Sequence, residues 1–478
     1  MTCAAGATKP CYSGPMGTEG VGICKGGTAT CKNDGSGYGA CEGEMTPAPA
    51  DDCAMKVDAN CDGTTCGQAS WSYDFQGPNT QVVGGITTDA SGNIYLAGKV
   101  GGSITFGTNT LVSAGGFDAF IVKLDSTGAF VWGNSFGDAP NNQVATSVAV
   151  DGGGNVVVAG WFFGSMTIGN KILTAGGTNF DAFIAKFDAT GNALWAFSYG
   201  DVANAQAVNS VAIDSHGDVL ATGYFAGSID FGKGNMIPVG VSDIFVAKLA
   251  GDTGVGLWSK QTGTAGSSSS GNSVAVDNGG SAVIAGTSYG AFVERLDGAG
   301  NQAWAMQLGD YKSSAAAVAM DAAGNAYVTG TSKVIAATGP TFVTKLDVLG
   351  NQQWAVGAGA SGPVAIATDA SGDSFVAGAL NTSADFGGGT LTGPAFLWKL
   401  NPDGTHAWSR VYGMGTGTSF TAAEFCGAVA VSSPKDVIVA CENYFTMDFG
   451  ASTGPVKGSP PEGGFNSLNI TLAKIAVR

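Results

Sequence analysis

Residues 84–98 read GGITTDASGNIYLAG: an apolar strand that ends at Asp89, a tight turn that contains Gly92, and a second apolar strand. Similar blocks begin at residues 146, 209, 272, 316, 365 and 428, and the last of them, AVAVSSPKDVIVAC, is degenerate. A turn of the form Asp-x-x-Gly-Asn needs a residue at positive φ, which Gly or Asn tolerates, so its Asp is expected to be a turn acceptor. The chain is therefore a tandem repeat, and each copy is one structural unit.

Each copy continues with a third strand like AFIVKLD (119–125) and a fourth strand that opens with Trp. The last copy stops after TLAKIA (471–476), whereas Trp71 stands in WSYDF ahead of the first copy. This circular permutation predicts ring closure by Trp71, whose strand supplies the outer strand of the last sheet and removes open strand edges. The tryptophans that follow complete copies are Trp132, Trp195, Trp258, Trp304, Trp354 and Trp408.

Four short strands per copy, apolar on both faces, are typical of sheets packed face to face. The predicted fold class is all-β. It comprises a seven-bladed β-propeller over residues 71–478, closed by an N-terminal outer strand and preceded by a small disulfide-rich module over residues 1–70. A solenoid is the alternative. The composition agrees, because 78 of 478 residues are Gly and only 12% are charged, which suits short strands joined by tight turns.

The blocks VAVDGGGNVVVAGWF, DAFIAKFDATGNALW and FSYGD resemble the bacterial SBBP-type β-propeller repeat, over residues 71–478. The resemblance implies a secreted or surface propeller and implies no reaction. Copy seven departs from the pattern by placing Cys426 and Cys441 on adjacent strands, where a disulfide is expected. Copies four and five lack an insert that the other copies carry as GSITFG (102–107), GSMTIG (164–169), GSIDFG (227–232), SADFG (383–387) and TMDFG (446–450).

Cysteine usage indicates an oxidising compartment. Eight of the ten cysteines lie within residues 3–66, the density of a small scaffold that needs cross-links. A zinc site would require compact Cys-x-x-Cys pairs, which this segment lacks. The sequence does not decide which cysteines pair with each other in disulfides. The expected location is extracellular or at the cell surface, after removal of a signal peptide, with no membrane span. All ten cysteines are expected in disulfides: Cys3, Cys11, Cys24, Cys31, Cys41, Cys53, Cys61, Cys66, Cys426 and Cys441.

The stretches CYSGP, GVGICKGGTATC and DANCDG resemble the Cys-rich segment of myxobacterial and other bacterial surface proteins, which implies metal binding. Asp58, Asn60 and Asp62, followed by Gly, match the first half of a calcium loop. The second half does not match, because Ala69 stands where a bidentate Glu would fall. Calcium is thus the one cofactor predicted, and an ordinary acidic turn clipped by Cys61 is the alternative.

The net charge and the loop lengths limit the functions that the sequence can have. The formal charge of −16 disfavours nucleic acid as a partner. The long connections all emerge on one side of a propeller, which is the expected functional face. There, Asp138, Asp201 and Asp310 are the best carboxylates for glycoside chemistry, with solvated loop residues as the alternative. The two histidines, His216 and His406, are too few for a histidine-based hydrolase.

The sequence therefore predicts a non-catalytic extracellular or cell-surface interaction protein, a scaffold that presents variable loops. Its partners would be a surface protein or a glycan, with self-association through the N-terminal module as an option that builds filaments. The alternative is a carbohydrate-binding lectin or a carbohydrate-active enzyme that uses the loop carboxylates. A row of basic residues, one per copy, is expected to be structural and to pair with turn acids such as Asp89 or Asp151.

Overall fold

The computed structural model describes residues 2–48, 51, 57–61, 63, 65–336, 339–359, 362–380, 383–413, 424–443, 446–450, 456–457 and 468–477. Within these ranges every regular element is a β-strand, so the all-β prediction is confirmed. No helix there is long and apolar enough to cross a membrane.

Seven four-stranded antiparallel sheets, numbered here from 1 to 7, make up most of the described residues. Sheets 1 and 2 comprise Gln81–Thr88, Ile94–Phe106, Asn109–Leu124 and Phe130–Phe136, then Gln143–Val150, Val156–Phe162, Asp181–Phe187 and Ala193–Tyr199. Sheets 3 and 4 comprise Gln206–Ile213, Val219–Phe225, Asp243–Leu249 and Gly256–Thr262, then Ser269–Val276, Ala282–Ser288, Ala291–Leu296 and Gln302–Leu308. Sheets 5 and 6 comprise Ser314–Met320, Ala326–Thr331, Thr341–Leu346 and Gln352–Ala358, then Pro363–Thr368, Ser374–Ala379, Ala395–Leu400 and His406–Tyr412. Sheet 7 comprises Phe425–Ser433, Asp436–Asn443, Asn469–Ala476 and Ala69–Phe75.

The first strands of these sheets pack side by side in a closed series. Each contacts the first strands of the sheets before and after it, and that of sheet 7 contacts that of sheet 1. Side chains reinforce the series: Ser147 Oγ accepts the amide of Val211 in sheet 3, and Ser210 Oγ accepts that of Val274 in sheet 4, both at 3.1 Å. The sheets thus form a ring of β-propeller type, which leaves no sheet face uncovered.

The repeated Asp sets the turn between the first and second strands. Asp89 Oδ1 accepts the amides of Ser91 and Asn93 at 2.9 and 3.0 Å, and Gly92 has a φ of 78°. A carboxylate that caps its own turn in this way is an Asx turn. The prediction that this Asp is a turn acceptor is therefore confirmed, and equivalent bonds are made by Asp151, Asp214, Asp277, Asp321 and Asp369.

The inserts fill the gaps between neighbouring sheets near their outer strands. Phe231 of the sheet 3 insert packs against Tyr199 of sheet 2, with ring centroids 4.5 Å apart. Where the insert is absent, in sheet 4, the facing residue of sheet 3 is Thr262, whose hydroxyl lies 3.2 Å from Glu294. Three inserts form separate two-stranded hairpins: Ser165–Ile168 with Lys171–Thr174, Ser383–Asp385 with Thr390–Thr392, and Thr446–Met447 with Val456–Lys457.

The strand Ala69–Phe75 is the outer strand of sheet 7. It pairs antiparallel with Asn469–Ala476, and Trp71 lies opposite Lys474. Trp71 is half-buried and packs on the cluster that contains Leu472. The two ends of the repeat region therefore meet in one sheet.

The described part of the N-terminal segment contains a three-stranded sheet, Thr8–Cys11, Gly27–Cys31 and Tyr38–Glu42. Its disulfide bonding is confirmed, with bridges Cys3–Cys31, Cys11–Cys41 and Cys24–Cys61. Cys66 is also in a disulfide, and Cys53 lies outside the described residues. In sheet 7, Cys426 and Cys441 face each other across adjacent strands and are bridged.

The end of this segment is anchored between sheets 6 and 7. Arg410 donates to the carbonyl oxygen of Cys66 through Nε at 3.2 Å and through Nη2 at 2.8 Å. The Tyr412 hydroxyl donates to the carbonyl oxygen of Gly67 at 2.9 Å, and the Gly67 amide donates to Ala476 at 2.7 Å. Buried hydrogen bonds from both sheets thus fix the point where the segment leaves the ring.

Candidate functional site

The two faces of the ring differ in the length of their connections. Turns such as Asp89–Asn93 and Asp125–Ala129, which join first to second and third to fourth strands, are tight. Connections between second and third strands differ in length, with Tyr289 and Gly290 alone in sheet 4 and residues 226–242 in sheet 3, and the connections between sheets vary as well. Because strand direction alternates, all of the variable connections lie on one face, which we call the variable face. Loops on a rigid scaffold are where binding residues usually sit, so this face is the candidate site.

The loop carboxylates of the variable face already accept hydrogen bonds from neighbouring loop residues. Asp138 accepts the amide of Ser165 at 2.8 Å and the side-chain amides of Asn141 and Gln143 at 3.0 and 3.2 Å. Burial raises the pKa of Asp138, but these donors outweigh it and hold the pKa below its usual value. A low pKa does not suit a general acid, which must be protonated near neutral pH.

Asp201 and Asp310 also accept hydrogen bonds from loop residues. Asp201 accepts the amides of Ser228, Asn204 and Ala203 at 2.7, 2.8 and 2.9 Å, and these bonds lower its pKa against the effect of burial. Asp310 Oδ1 accepts the Ser313 hydroxyl at 2.8 Å. The structure therefore places the predicted carboxylates on the variable face as turn-binding groups, each in a different loop.

Exposed apolar side chains also lie on the variable face. Tyr289 and Tyr311 are each 62% exposed, and their ring centroids lie 6.3 Å apart. Sequence reasoning missed this pair, although Tyr289 stands in the shortest second-to-third connection of any copy. Large exposed apolar groups in clusters mark interaction surfaces. Further ones on variable loops are Val202, Ile237, Val239, Val241 and Val334.

Two buried side-chain oxygen atoms border one glycine where sheets 2 and 3 meet. Gln206 is fully buried, and its Nε2 donates to the carbonyl of Ala226 at 2.7 Å, which turns Oε1 toward Gly200. Asp181 Oδ1 borders the same glycine. Neither oxygen has a donor among the described residues. Burial raises the pKa of Asp181, against the Gly176 amide that lowers it, and the nearby charge of Asp201 raises it further.

The row of basic residues is structural, as predicted. Lys186 Nζ lies 3.3 Å from Asp151 Oδ2, and both side chains are largely buried. In sheet 1, Lys123 instead lies over the Tyr95 ring at 5.1 Å. The equivalent pairs are Lys248–Asp214 at 2.7 Å, Arg295–Asp277 at 2.5 Å, Lys345–Asp321 at 3.7 Å, Lys399–Asp373 at 2.8 Å and Lys474–Asp436 at 3.4 Å.

The two histidines lie in different sheets. His216 lies in the turn of sheet 3 with 74% of its side chain exposed. His406 is half-buried, and its Nε2 lies 3.1 Å from the Ser409 hydroxyl. Burial lowers the pKa of His406, against the nearby charge of Asp385. Neither ring has the geometry of a general base with an activated nucleophile.

Two carboxylates, of the buried Glu442 and the half-buried Asp74, lie within strands of sheet 7, where sequence reasoning did not look for them. Burial raises the pKa of Glu442 to about 7, although the Val83 amide donates to it at 3.0 Å. Burial raises the pKa of Asp74 to about 6. Glu442 pairs with Ile470 and Asp74 with Thr471, so the two carboxylates point to opposite faces of the sheet and do not form a catalytic pair.

The residues of the predicted calcium loop are partly described. Asp58 Oδ2 accepts the Gly63 amide at 3.0 Å, and Asp51 Oδ1 accepts the Asn60 amide at 3.1 Å. Asp62 lies outside the described residues. Within those residues no three His, Cys, Asp or Glu side chains are grouped so as to hold a metal. The calcium site stays a prediction.

No protein-family model matches the chain. An uncharacterized WD repeat-containing protein of Acanthamoeba polyphaga mimivirus is 31% identical over 124 residues, which span 25% of this chain and 9% of that protein. A Bacteroides caccae protein of unknown function covers 66% of the chain and 92% of its own length at 12% identity, with a TM-score of 0.36. BamB from Moraxella catarrhalis covers 85% of the chain and 99% of its own length at 13% identity, with a TM-score of 0.37. With its closed series of four-stranded sheets, the chain is a β-propeller repeat protein.

Proposed function

We propose that the chain is a seven-bladed β-propeller with a disulfide-rich N-terminal module, and that it acts as a non-catalytic interaction scaffold outside the cell. The observation that carries this proposal is the set of exposed apolar side chains on the loops of the variable face, above all Tyr289 and Tyr311. Protein interfaces are anchored by aromatic residues of this kind. The disulfides of the N-terminal segment fit an oxidising compartment.

The chemistry of the variable face supports binding over catalysis. Glycoside hydrolysis uses two carboxylates with different protonation states across one bond. Asp138 and Asp201 lie in different loops, and both have lowered pKa values because loop donors hold them ionised. Neither is held neutral as a general acid would be.

Glycan binding is the second candidate. Tyrosine rings present an apolar face and a polar tip, which suits both a sugar ring and a protein surface. The exposed Tyr289 and Tyr311 pair is the observation that favours it. A glycan array probed with the purified chain, and with a Tyr311→Ser variant, tests this alternative, since loss of binding in the variant would assign the sugar to this pair.

Site-specific photo-cross-linking tests the main proposal. A photoreactive amino acid replaces Tyr311 on the variable face or Leu349, which is 74% exposed in a turn on the opposite face. Illumination at the surface of the producing cell is expected to give discrete protein adducts from position 311 and none from position 349. The same products from both positions, or no protein adduct from position 311, would overturn the proposal.

A further inference from the structure

One part of the variable face, which we call the notch, lies at sheet 4. Its second and third strands are joined by Tyr289 and Gly290 alone. Tyr289 has a φ of 53°, a left-handed conformation that is strained for a bulky residue. Strained residues cluster at binding sites, and an exposed ring adds nothing to the core of the sheet. Packing therefore does not account for Tyr289.

Hydrogen bonds join the notch to the loops on both sides, and each of those loops carries an exposed apolar group. On the side of sheet 3 the exposed residue is Val241, at 65%, and on the side of sheet 5 it is Val334, at 61%. The connecting bonds, from sheet 3 to sheet 5, are Val241 N to Ser267 O at 2.8 Å, Thr264 Oγ1 with Ser288 Oγ at 3.1 Å, Ser313 Oγ with Ser332 Oγ at 2.8 Å, and Val334 N to Ser332 Oγ at 3.2 Å.

The exposed charge at the notch is positive, although the chain carries −16 overall. Lys312 and Lys333 are exposed beside Tyr311 and Val334. The nearest carboxylate, Asp310, is half-buried and accepts bonds from its own turn. An occupant of the notch is therefore expected to combine an apolar group with negative charge.

The N-terminal module presents such a group. Met16 is 102% exposed at the end of a loop that is closed by the Thr18 hydroxyl, which donates to Pro15 O at 2.7 Å. The loop is held at its base, because Ser13 donates to the carboxylate of Glu44 through its amide at 2.6 Å and its hydroxyl at 2.7 Å. We call residues 13–18 the tip.

Negative charge surrounds the tip. Glu19 and Glu42 are exposed, and Glu44 is half-buried at its base, whereas two exposed cations, Lys9 and Lys25, lie beside it. Met45, adjacent to Glu44, adds a second exposed thioether at 44% exposure. Tip and notch are thus complementary in charge, and both are apolar at their centres.

We propose that the tip of one copy docks in the notch of the next copy, a proposal that rests on the variable face being an interaction surface. The Met16 thioether packs on the rings of Tyr289 and Tyr311, since sulfur–aromatic contacts are favourable. Glu19 and Lys312 lie at the rim, where opposite charges set orientation and speed association. Two different surfaces in contact make a head-to-tail interface, which builds open chains of copies unless it closes into a ring.

Mixing complementary variants of the full-length, disulfide-bonded chain tests this arrangement by sedimentation velocity. Met16→Ser removes the tip, and Tyr289→Gly with Tyr311→Ser removes the notch while relieving the strained φ. Wild type is expected to associate in a concentration-dependent and salt-sensitive manner, since salt screens exposed charges. Each variant alone is expected to remain monomeric. An equal mixture is expected to stop at dimers, because one intact tip then meets one intact notch.

A matched control is Ile172→Ser, which removes a 72% exposed apolar side chain from the sheet 2 insert and is expected to associate like wild type. Thermal melting checks that every variant is folded. Wild type that is monomeric at all concentrations, a variant mixture that does not dimerise, or loss of association in the control would each overturn docking of the tip in the notch. A monomer that still cross-links another protein through position 311 would overturn self-docking alone and leave the interaction scaffold in place.

Discussion

The indole Nε1 of Trp132 donates a 3.0 Å hydrogen bond to the carbonyl oxygen of Ala189, in the turn between the third and fourth strands of the next sheet. Gly191, at a φ of 88°, lies in the same turn, and a side chain there would collide with the Trp132 ring. Four further outer-strand tryptophans join their sheets to the next one in this way, whereas Trp408 Nε1 of sheet 6 has no hydrogen-bond partner among the described residues. The equivalent bonds run from Trp195 to Gly251, Trp258 to Gly298, Trp304 to Val348 and Trp354 to Pro402.

Replacing Trp71 by Ala is expected to lower the free energy of unfolding by about 3 kcal/mol, the lower end of the range for Trp→Ala because the ring is half-buried. Tyr73 lies closest to Gly128 in the turn of sheet 1, the place that Trp132 takes against Gly191, and the Trp71 ring lies beside it. The loss therefore falls on the contact between sheets 7 and 1. Urea denaturation followed by tryptophan fluorescence measures it.

Trp304→Ala is the matched control, because Trp304 is also half-buried and fastens sheet 4 to sheet 5. Its loss of stability is expected to be similar. Deleting residues 69–75 is expected to do more, since it leaves the edge of Asn469–Ala476 unpaired and open to aggregation. A Trp71 variant as stable as wild type, with a deletion that stays monodisperse, would contradict closure through this strand.

Removing the bridge between Cys426 and Cys441 with a double Ala variant is expected to cost about 3 kcal/mol of unfolding free energy, because the bridge closes a 15-residue loop. Both residues are fully buried, so reductant is expected to act slowly on the folded chain. Guanidinium denaturation of the two proteins gives the difference. Mass spectrometry of the unreduced wild type is expected to find no thiol among the ten cysteines, and a thiol at either position would contradict the bridge.

The parts of the fold that sequence predicts are those where one residue decides a local geometry. Asp89 and Gly92 specify a turn within five residues, and repetition of that turn gives strand order and sheet boundaries. The site was less predictable, because its geometry depends on distant residues. Tyr289 and Tyr311 come together because sheet 4 lacks an insert. Asp138 is not available to bind a ligand, because Ser165, from another loop, donates its amide to the carboxylate.

Calcium is expected to raise the melting temperature of the N-terminal module if Asp58, Asn60 and Asp62 supply oxygens to it. An ion that binds only the folded form stabilises it by about 2.7 kcal/mol when present at roughly 100 times its dissociation constant. Calorimetry in calcium and in chelator measures the shift. Asp58→Asn is expected to reduce it, and Asp34→Asn, in an exposed turn of the same module, to leave it unchanged. Equal melting in calcium and chelator would contradict the site.

The buried oxygens of Asp181 and Gln206 predict an unusual dependence of stability on pH. The side-chain amide of Gln206 is held in this orientation, because its Nε2 donates to the carbonyl of Ala226. A proton on Asp181 would therefore supply the donor that both oxygens lack. Sheet 7 carries an amide at the equivalent position, since Asn469 corresponds to Asp181 and Gln81 of sheet 1 to Gln206, although Gln81 Oε1 has no donor among the described residues. An amide there is therefore compatible with the fold.

Asp181→Asn is expected to make the chain more stable than wild type at neutral pH and equally stable in acid. Asn keeps the bond from the Gly176 amide, 2.9 Å in wild type, and offers its Nδ2 to Gln206. Because folding raises the pKa of Asp181, the contribution of this carboxyl is complete below the pKa of the unfolded chain and is lost as pH rises through the pKa of the folded chain. The difference in unfolding free energy between variant and wild type, measured by urea titration from pH 3 to 8, should therefore grow with pH. Asn469→Asp, which installs the carboxyl in sheet 7, should show the opposite trend, and a difference that is flat across the range would rule out the shared proton.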